Sequence, residues 1–209
     1  MNGDKIVDPL RKPAVTQAPL HELVRERWSP RSFAADLVST ADLRTILEAG
    51  RWAASTNNSQ PWRWIVATKD DPDLYAKALA CFAPKNQRWA VTAPALLFSV
   101  ARMTFEANGK PNAYAWHDCG QALAQMMLQA NALGLVVHVA GGIEPDKVRE
   151  TFATPAGYEV VCGIAIGRQG DPDALPEELP AREREARTRK PLEQLAMGRG
   201  LGAAGDVFA

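Results

Sequence analysis

The sequence predicts a single α+β domain, because one long amphipathic helix and several short apolar runs share 209 residues without an internal repeat or a linker. The longest predicted helix covers residues 114–133 and has a broad apolar side. Gly134 follows it as the expected left-handed cap. Helices that are long relative to the few strands are typical of this class.

The first two predicted helices begin at capping residues. Thr16 is placed to cap a helix that extends to about residue 27. Ser39 or Thr40 is placed to cap the next helix, which extends to about residue 54, and Ser39 with Asp42 resembles a loose capping box. Both helices therefore precede the first predicted strand.

The other elements follow from Pro72 and from short apolar runs. Pro72 suits the first position of a helix, and a short apolar run bounded by turn residues is typical of a buried strand. After residue 171 the chain is rich in proline and then in charge, and it lacks the apolar periodicity of a docked helix. In chain order these elements are a strand over 64–67, a helix over 71–81, a strand over 95–101, a strand over 135–140, a helix over 145–152 and a strand over 159–166.

We expect the folded domain to cover residues 19–191, between a polar N-terminal arm over 1–18 and a loosely ordered tail over 192–209. The polar start is not followed by an apolar stretch, so no signal peptide is predicted. No segment approaches the roughly 20 apolar residues of a membrane helix.

Composition argues against several classes of function. The formal net charge is +0 and 46% of the residues are hydrophobic, which favours neither a nucleic-acid nor a membrane partner. The three cysteines are scattered and odd in number, as expected for a reduced, cytoplasmic protein without disulfides. Neither they nor the three histidines have the spacing of a metal site.

Two arginines and a serine alternate near the front of the chain. If the backbone is extended there, Arg27, Ser29 and Arg31 point to one face. Guanidinium groups bind phosphate oxygens in a bidentate way, so this face would suit a phosphate. Basic residues are also common at a helix C-terminus, where their positive charge interacts favourably with the helix dipole. The pattern alone leaves both interpretations open.

A polar run over residues 55–60 lies between a predicted helix and a predicted strand. Ordinary turn chemistry could explain it, since Asn57 and Asn58 tolerate a left-handed backbone and Pro61 ends the helix. Its hydroxyls and amides would also suit the polar edge of a planar heterocycle. Both interpretations are kept.

Taken in order, these segments resemble the FMN-dependent nitroreductase family. The resemblance covers roughly residues 20–191. It implies a central, mostly antiparallel sheet flanked by helices, with an extended C-terminal arm exchanged in a homodimer. The motifs that carry it are Arg-x-Ser-x-Arg at 27–31, Asn-Ser-Gln-Pro-Trp at 58–62, Lys-Asn-Gln at 85–87, His-Asp-Cys-Gly at 117–120, Gly-Gly at 141–142 and Arg-Thr-Arg at 187–189.

The resemblance also implies an FMN site at the dimer interface, with some contacts supplied by the partner subunit. The residues implied at the FMN phosphate are Arg27, Ser29, Arg31, Arg187 and Arg189. Those implied at the flavin ring are Ser55, Thr56 and Asn58 along it, Gln60 supporting that loop, Asn86 at the polar edge, and the backbone N–H groups of Gly141 and Gly142 near N5. Trp28 is a departure, because the family often has a second basic or histidine residue there.

The implied activity is the reduction of nitroaromatic, quinone or similar electron-poor acceptors, with NAD(P)H as a transient reductant in a ping-pong hydride mechanism. The flavin would carry the chemistry, so no side chain is predicted to be catalytic and no metal is expected. The alternatives are a specialised flavin enzyme for dehalogenation or dehydrogenation and a flavin-binding or storage protein without turnover. A third alternative is an interaction module that uses the basic C-terminal segment.

Overall fold

A four-stranded antiparallel sheet organises the computed structural model, which describes residues 10–196 and 198. The start of the predicted arm and most of the predicted tail lie outside the described residues. The strands are β1 (Trp62–Thr68), β2 (Ala95–Arg102), β3 (Val136–Ala140) and β4 (Tyr158–Gly167). Their order in the sheet is β1-β2-β4-β3 and every neighbouring pair is antiparallel. The predicted antiparallel sheet and its four strands are confirmed.

The strand order places β1 and β3 at opposite edges of the sheet. In one row across it, Ile65 of β1 faces Phe98 of β2, Phe98 faces Gly163 of β4, and Gly163 faces Ala140 of β3. Neighbouring strands lie about 4.8 Å apart, so the two edges are separated by roughly 14 Å.

Helices cover both faces of the sheet. They are α1 (Glu22–Glu26), α2 (Thr40–Arg51), α3 (Pro72–Leu79), α4 (Pro84–Ala90), α5 (Ala115–Ala132), α6 (Pro145–Thr151) and α7 (Leu179–Arg184). Ser39 caps α2 by accepting the Asp42 N–H, as predicted. Gly134 follows α5 with φ +70°, the predicted left-handed cap. No helix in the described part of the chain is long and apolar enough to cross a bilayer.

The core lies on both sides of β2, whose successive side chains alternate between the two faces. Leu97 packs with Ile46 of α2 and Met126 of α5 on one face. Phe98 packs with Trp89 of α4 on the other. All five of these side chains are buried. Each such side chain contributes about 1.5–3 kcal/mol when it is fully removed from water, so this double core fixes the sheet that carries the site.

The prediction for the first helix was wrong at its start. The helix begins at Glu22 and is capped by His21, whose Nδ1 accepts the Leu23 N–H at 3.3 Å, so Thr16 is not its cap. Pro19 accounts for the difference, because a proline disfavours the helical conformation in the residue before it. Residue 14 instead hydrogen-bonds to the Arg25 carbonyl, which places the preceding segment against α1.

Two helices were missed. The segment after residue 171, predicted to lack a docked helix, forms α7, where Leu179 and Glu183 are buried. Leu175, Leu179 and Glu183 are spaced four residues apart and are all buried. Because the third of them is a carboxylate, the sequence shows no apolar periodicity there. Helix α4 was missed because it has only seven residues, of which two are buried.

Candidate functional site

Arginines that are far apart in the sequence converge on one cleft. Arg27, Arg187 and Arg189, here called the cation cluster, line a cleft of about 580 Å³. Arg27 Nη1 also donates to Ser29 Oγ at 3.3 Å. Burial lowers the pKa of Arg27, and the positive charges of Arg187 and Arg189 lower it further. Because these charges repel one another, an anion in the cleft would stabilise the arrangement.

Arg187 is fixed by backbone carbonyls. Its Nη1 donates to the Lys12 carbonyl at 2.7 Å and to the Arg25 carbonyl at 3.0 Å. Burial lowers the pKa of Arg187, the charge of Arg189 lowers it further, and Glu26 raises it. The C-terminal segment is therefore held against α1 within the same chain.

Arg31 is held differently from the other predicted phosphate residues. Its backbone N–H donates to Glu183 Oε1 at 2.6 Å, and its Nη1 lies 3.8 Å from Glu183 Oε2. It does not line the cleft of the cation cluster. The structure therefore brings Arg27, Arg187 and Arg189 together and directs Arg31 to a buried carboxylate.

Lys12 is a cation near this region that sequence reasoning missed. Its Nζ lies 4.5 Å from the centre of the Trp28 ring and donates to the Glu183 carbonyl at 2.7 Å. Burial lowers the pKa of Lys12, Glu183 raises it, and Arg187 and Arg31 lower it. The signal in the sequence was Trp28 itself, because an aromatic face in a basic segment can hold a cation from elsewhere.

The predicted residues Asn86 and Gly142 touch each other. Asn86 Nδ2 donates to the Gly142 carbonyl at 2.9 Å, and its Oδ1 accepts from Trp89 Nε1 at 3.2 Å. A Cβ on Gly142 would lie 2.4 Å from Asn86 Nδ2, whereas a Cβ on Gly141 would meet no atom within 4 Å. A side chain at Gly142 would therefore displace the Asn86 amide, while Gly141 borders open space.

His138 connects this pair to residues 27–32, here called the front segment. Its ring lies 4.3 Å from that of Trp89, centre to centre, and its Nδ1 donates to the Pro30 carbonyl at 2.9 Å. Burial lowers the pKa of His138 to about 4, and the charge of Arg31 also lowers it, although the hydrogen bond to Pro30 acts in the opposite direction. The ring is therefore neutral at pH 7 and is engaged in holding the backbone.

The polar loop, residues 55–60, has an unusual backbone. Asn57, Asn58 and Gln60 have φ values of 52°, 51° and 45°. The two asparagines adopt the left-handed backbone that asparagine tolerates, and Gln60 in the same region adds strain of order 1 kcal/mol. Gln60 Nε2 donates to Asn58 O at 3.1 Å and to Asn58 Oδ1 at 3.2 Å, and its N–H donates to Ser55 Oγ at 3.1 Å. These contacts hold the loop in one shape.

Two buried residues anchor the polar loop to the rest of the fold. The Thr56 N–H donates to Asp118 Oδ2 at 2.9 Å, and Asn112 Nδ2 donates to Ser59 Oγ at 3.3 Å. Both Asp118 and Asn112 are only 1% exposed. Sequence reasoning assigned no role to either residue. The available signal was an acidic residue on the otherwise apolar side of α5.

The polar loop and the other groups lie at opposite edges of the sheet. The loop precedes β1 at one edge, whereas Gly141 and Gly142 follow β3 at the other, and His138 of β3 bonds to Pro30 of the front segment. Within residues 10–196, no hydrogen bond or ion pair joins the polar loop to the cation cluster or to Asn86.

Neither Cys119 nor Cys162 offers an activated thiol. Burial raises the pKa of Cys119 to about 12 and that of Cys162 to about 11, so both thiols stay protonated and are poor nucleophiles at pH 7. Among the described residues, no group of three side chains could hold a metal ion.

This fold and cleft define an α+β protein with a four-stranded antiparallel sheet and a cleft lined by three arginines. Residues 24–168 match the nitroreductase family, which is more than half of the chain, and the chain belongs to that family. The predicted family membership and fold class are confirmed.

Three individual proteins show what this chain is similar to. A solved structure described as an oxidoreductase containing FMN superposes with a TM-score of 0.84 and 35% identity over 91% of this chain and 96% of that chain. The major NAD(P)H-flavin oxidoreductase of Aliivibrio fischeri is 26% identical, and the match covers 73% of this chain and 88% of that protein. An uncharacterized 15.4 kDa protein of Mycolicibacterium smegmatis is 32% identical over 40% of this chain, which spans only 56% of that protein.

Proposed function

We propose that this chain is an FMN-dependent oxidoreductase that uses NAD(P)H to reduce nitroaromatic, quinone or similar electron-poor acceptors. The observation that carries the proposal is the convergence of Arg27, Arg187 and Arg189 on one cleft, where repulsion between the arginines helps to lower the pKa of Arg27 and Arg187. A phosphate monoester carries nearly two negative charges and would offset this repulsion. The FMN named in the solved structure with 35% identity supports the same ligand.

The residues present fit FMN at both of its ends. The cation cluster would hold the phosphate together with Ser29, and Arg31, which does not line that cleft, would add its positive charge from beside Glu183. Asn86 and the backbone of Gly141 and Gly142 would face the ring, and the open space beside Gly141 leaves room for a planar group.

We further propose that the polar loop reaches the ring from a second subunit. Within one chain the loop lies at the β1 edge, roughly 14 Å across the sheet from the β3 edge. A homodimer that places the loop of one subunit against the β3 edge of the other would complete the site. Ser55, Thr56, Asn58 and Gln60 would then offer their polar groups to the ring. The predicted exchange of the C-terminal segment is left out of this proposal up to Arg189, because Arg187 donates to the Lys12 and Arg25 carbonyls of its own chain.

FMN, when bound, would supply hydride transfer between NAD(P)H and the acceptor. The chain itself would bind the phosphate, orient the ring and leave one pocket in which reductant and acceptor bind in turn. The engaged, neutral His138 and the protonated thiols of Cys119 and Cys162 fit a reaction that needs no nucleophile from the protein. The three buried, unpaired cysteines also fit a cytoplasmic location.

The test is the absorbance spectrum of the purified protein, recorded before and after anaerobic addition of NADPH or NADH. We expect a flavin spectrum that bleaches with one or both donors and recovers when a nitroaromatic or a quinone is added. A yellow protein that no donor bleaches would favour a flavin-binding or storage protein. A colourless protein that takes up no added FMN would overturn the proposal.

A further inference from the structure

Glu183 is a buried carboxylate that binds the backbone of the front segment. It lies on α7 and is 1% exposed. Its Oε1 accepts the N–H groups of Arg31 at 2.6 Å and of Ser32 at 3.2 Å. Its Oε2 is buried without a hydrogen-bond partner among the described residues and lies 3.8 Å from Arg31 Nη1. Burial of a carboxylate costs free energy unless its oxygens are paired, and here only Oε1 accepts hydrogen bonds.

Three segments of the chain meet at Glu183. Lys12 of the N-terminal segment donates its Nζ to the Glu183 carbonyl at 2.7 Å. Arg187, four residues further along the chain, donates in turn to the Lys12 carbonyl at 2.7 Å. The Glu183 carboxylate therefore ties α7 to the front segment, and its backbone carbonyl connects α7 to Arg187 through Lys12.

The backbone that Glu183 binds is also fixed from its other side. Ser32 Oγ donates to the Asp171 carbonyl at 2.6 Å and Ser32 is 2% exposed. A Cβ on Gly170 would lie 2.5 Å from the backbone carbon of Phe33, so the chain at residue 170 approaches closely. The position of Arg31 and Ser32 is thus set jointly by Glu183 and by this turn.

We infer that Glu183 is a positioning residue that couples the docking of α7 to phosphate binding. When α7 is docked, Glu183 holds the front segment while Arg187 and Arg189 face the cleft that Arg27 lines. When α7 is released, the cluster loses two of its three arginines. The coupling is reciprocal, so a bound phosphate must also hold α7 in place. This inference rests on the proposed FMN site.

The test compares FMN with riboflavin, which has the same ring and no phosphate. Binding to the full-length, flavin-free protein is followed by flavin fluorescence. In Glu183→Ala we expect FMN to bind about tenfold more weakly or worse, because Arg187 and Arg189 are held less firmly at the phosphate, while riboflavin stays within about twofold of wild type. In Glu183→Gln the amide oxygen can still accept the Arg31 N–H, so the loss should be smaller. Glu185→Gln, exposed and two residues away, is the matched control.

Trypsin cleavage over residues 182–189 gives a second readout. FMN should slow cleavage in the wild type and riboflavin should not, and Glu183→Ala should lose the protection. If Glu183→Ala does not fold, Glu183→Gln decides. Wild-type affinity for FMN in both variants, or equal losses for FMN and riboflavin, would overturn the inference about Glu183 and leave the proposed function intact. A wild type that binds no FMN would contradict the proposed function as well.

Discussion

The cation cluster and the polar loop are built in the same way but are completed differently. Each lies beside a buried carboxylate that accepts backbone N–H groups: Glu183 accepts those of Arg31 and Ser32 near the cluster, and Asp118 accepts that of Thr56 in the loop. The cluster lines a cleft formed by its own chain. The loop is equally well anchored, yet Asn57, Asn58 and Gln60 are exposed.

The proposed homodimer would explain this difference, because the cluster could bind the phosphate within one chain while the polar loop would meet the ring on the other subunit. A strained loop costs free energy that must be offset elsewhere in the fold. A strained loop with exposed amides is expected if those amides contact a ligand that is bound to another subunit. Substitutions in the two regions should therefore have separable effects.

Removing two arginines of the cluster should abolish tight FMN binding. Charge-assisted hydrogen bonds contribute about 1.5–3 kcal/mol each, so Arg27→Ala combined with Arg187→Ala should weaken FMN binding roughly 100-fold or more. Fluorescence titration measures the dissociation constant. Arg44→Ala, an exposed residue of α2, is the control. Unchanged FMN affinity in the double variant would show that the cation cluster does not bind the phosphate.

His138 should make the protein less stable in mild acid. Burial lowers its pKa to about 4 in the folded state, from the ordinary histidine value of 6.5 that applies in the unfolded chain, so the unfolded state takes up a proton first as the pH falls. The free energy of unfolding should therefore decrease by roughly 2 kcal/mol between pH 7 and pH 5 from this residue alone. Urea unfolding at both values measures it. His138→Gln should lack this contribution, and an identical pH dependence in both proteins would contradict the assignment.

Asp118→Ala should loosen the polar loop and leave the cluster intact. The Thr56 N–H would lose its acceptor, which costs about 1–3 kcal/mol of folding free energy. Hydrogen exchange at Thr56 should accelerate, while the amides of Arg31 and Ser32 stay protected. Glu150→Ala, an exposed residue of α6, serves for comparison. Equal acceleration in both regions would mean that the two do not behave as separate units.

The two neighbouring glycines should respond oppositely to alanine. Gly142→Ala forces Asn86 to move and should cost about 1 kcal/mol or more in the flavin-free protein. Gly141→Ala meets no atom within 4 Å and should leave that stability unchanged while weakening flavin binding. Thermal unfolding and FMN titration of both variants provide the comparison. Normal flavin binding by Gly141→Ala would place the ring elsewhere.

Local chemistry predicted most of the fold and part of the site. The caps at Ser39 and Gly134 and the turn at Asn57 and Asn58 depend on neighbouring residues, so the sequence reveals them. Glu183 and Asp118 resemble ordinary charged residues in the sequence. Their roles depend on contacts with Arg31 and Thr56, which lie 152 and 62 residues away along the chain. Such contacts leave no periodic pattern, and for that reason these anchors were missed.

The most direct test of a site shared between subunits is complementation in a mixed dimer. One chain carries Arg27→Ala with Arg187→Ala, the other carries Asn58→Ala with Gln60→Ala, and two different affinity tags isolate the heterodimer. If the cluster of one subunit meets the polar loop of the other, one site in each heterodimer is intact and one tightly bound FMN per two chains is recovered. If both regions of a site belong to one chain, both sites remain defective and no tight FMN binding returns.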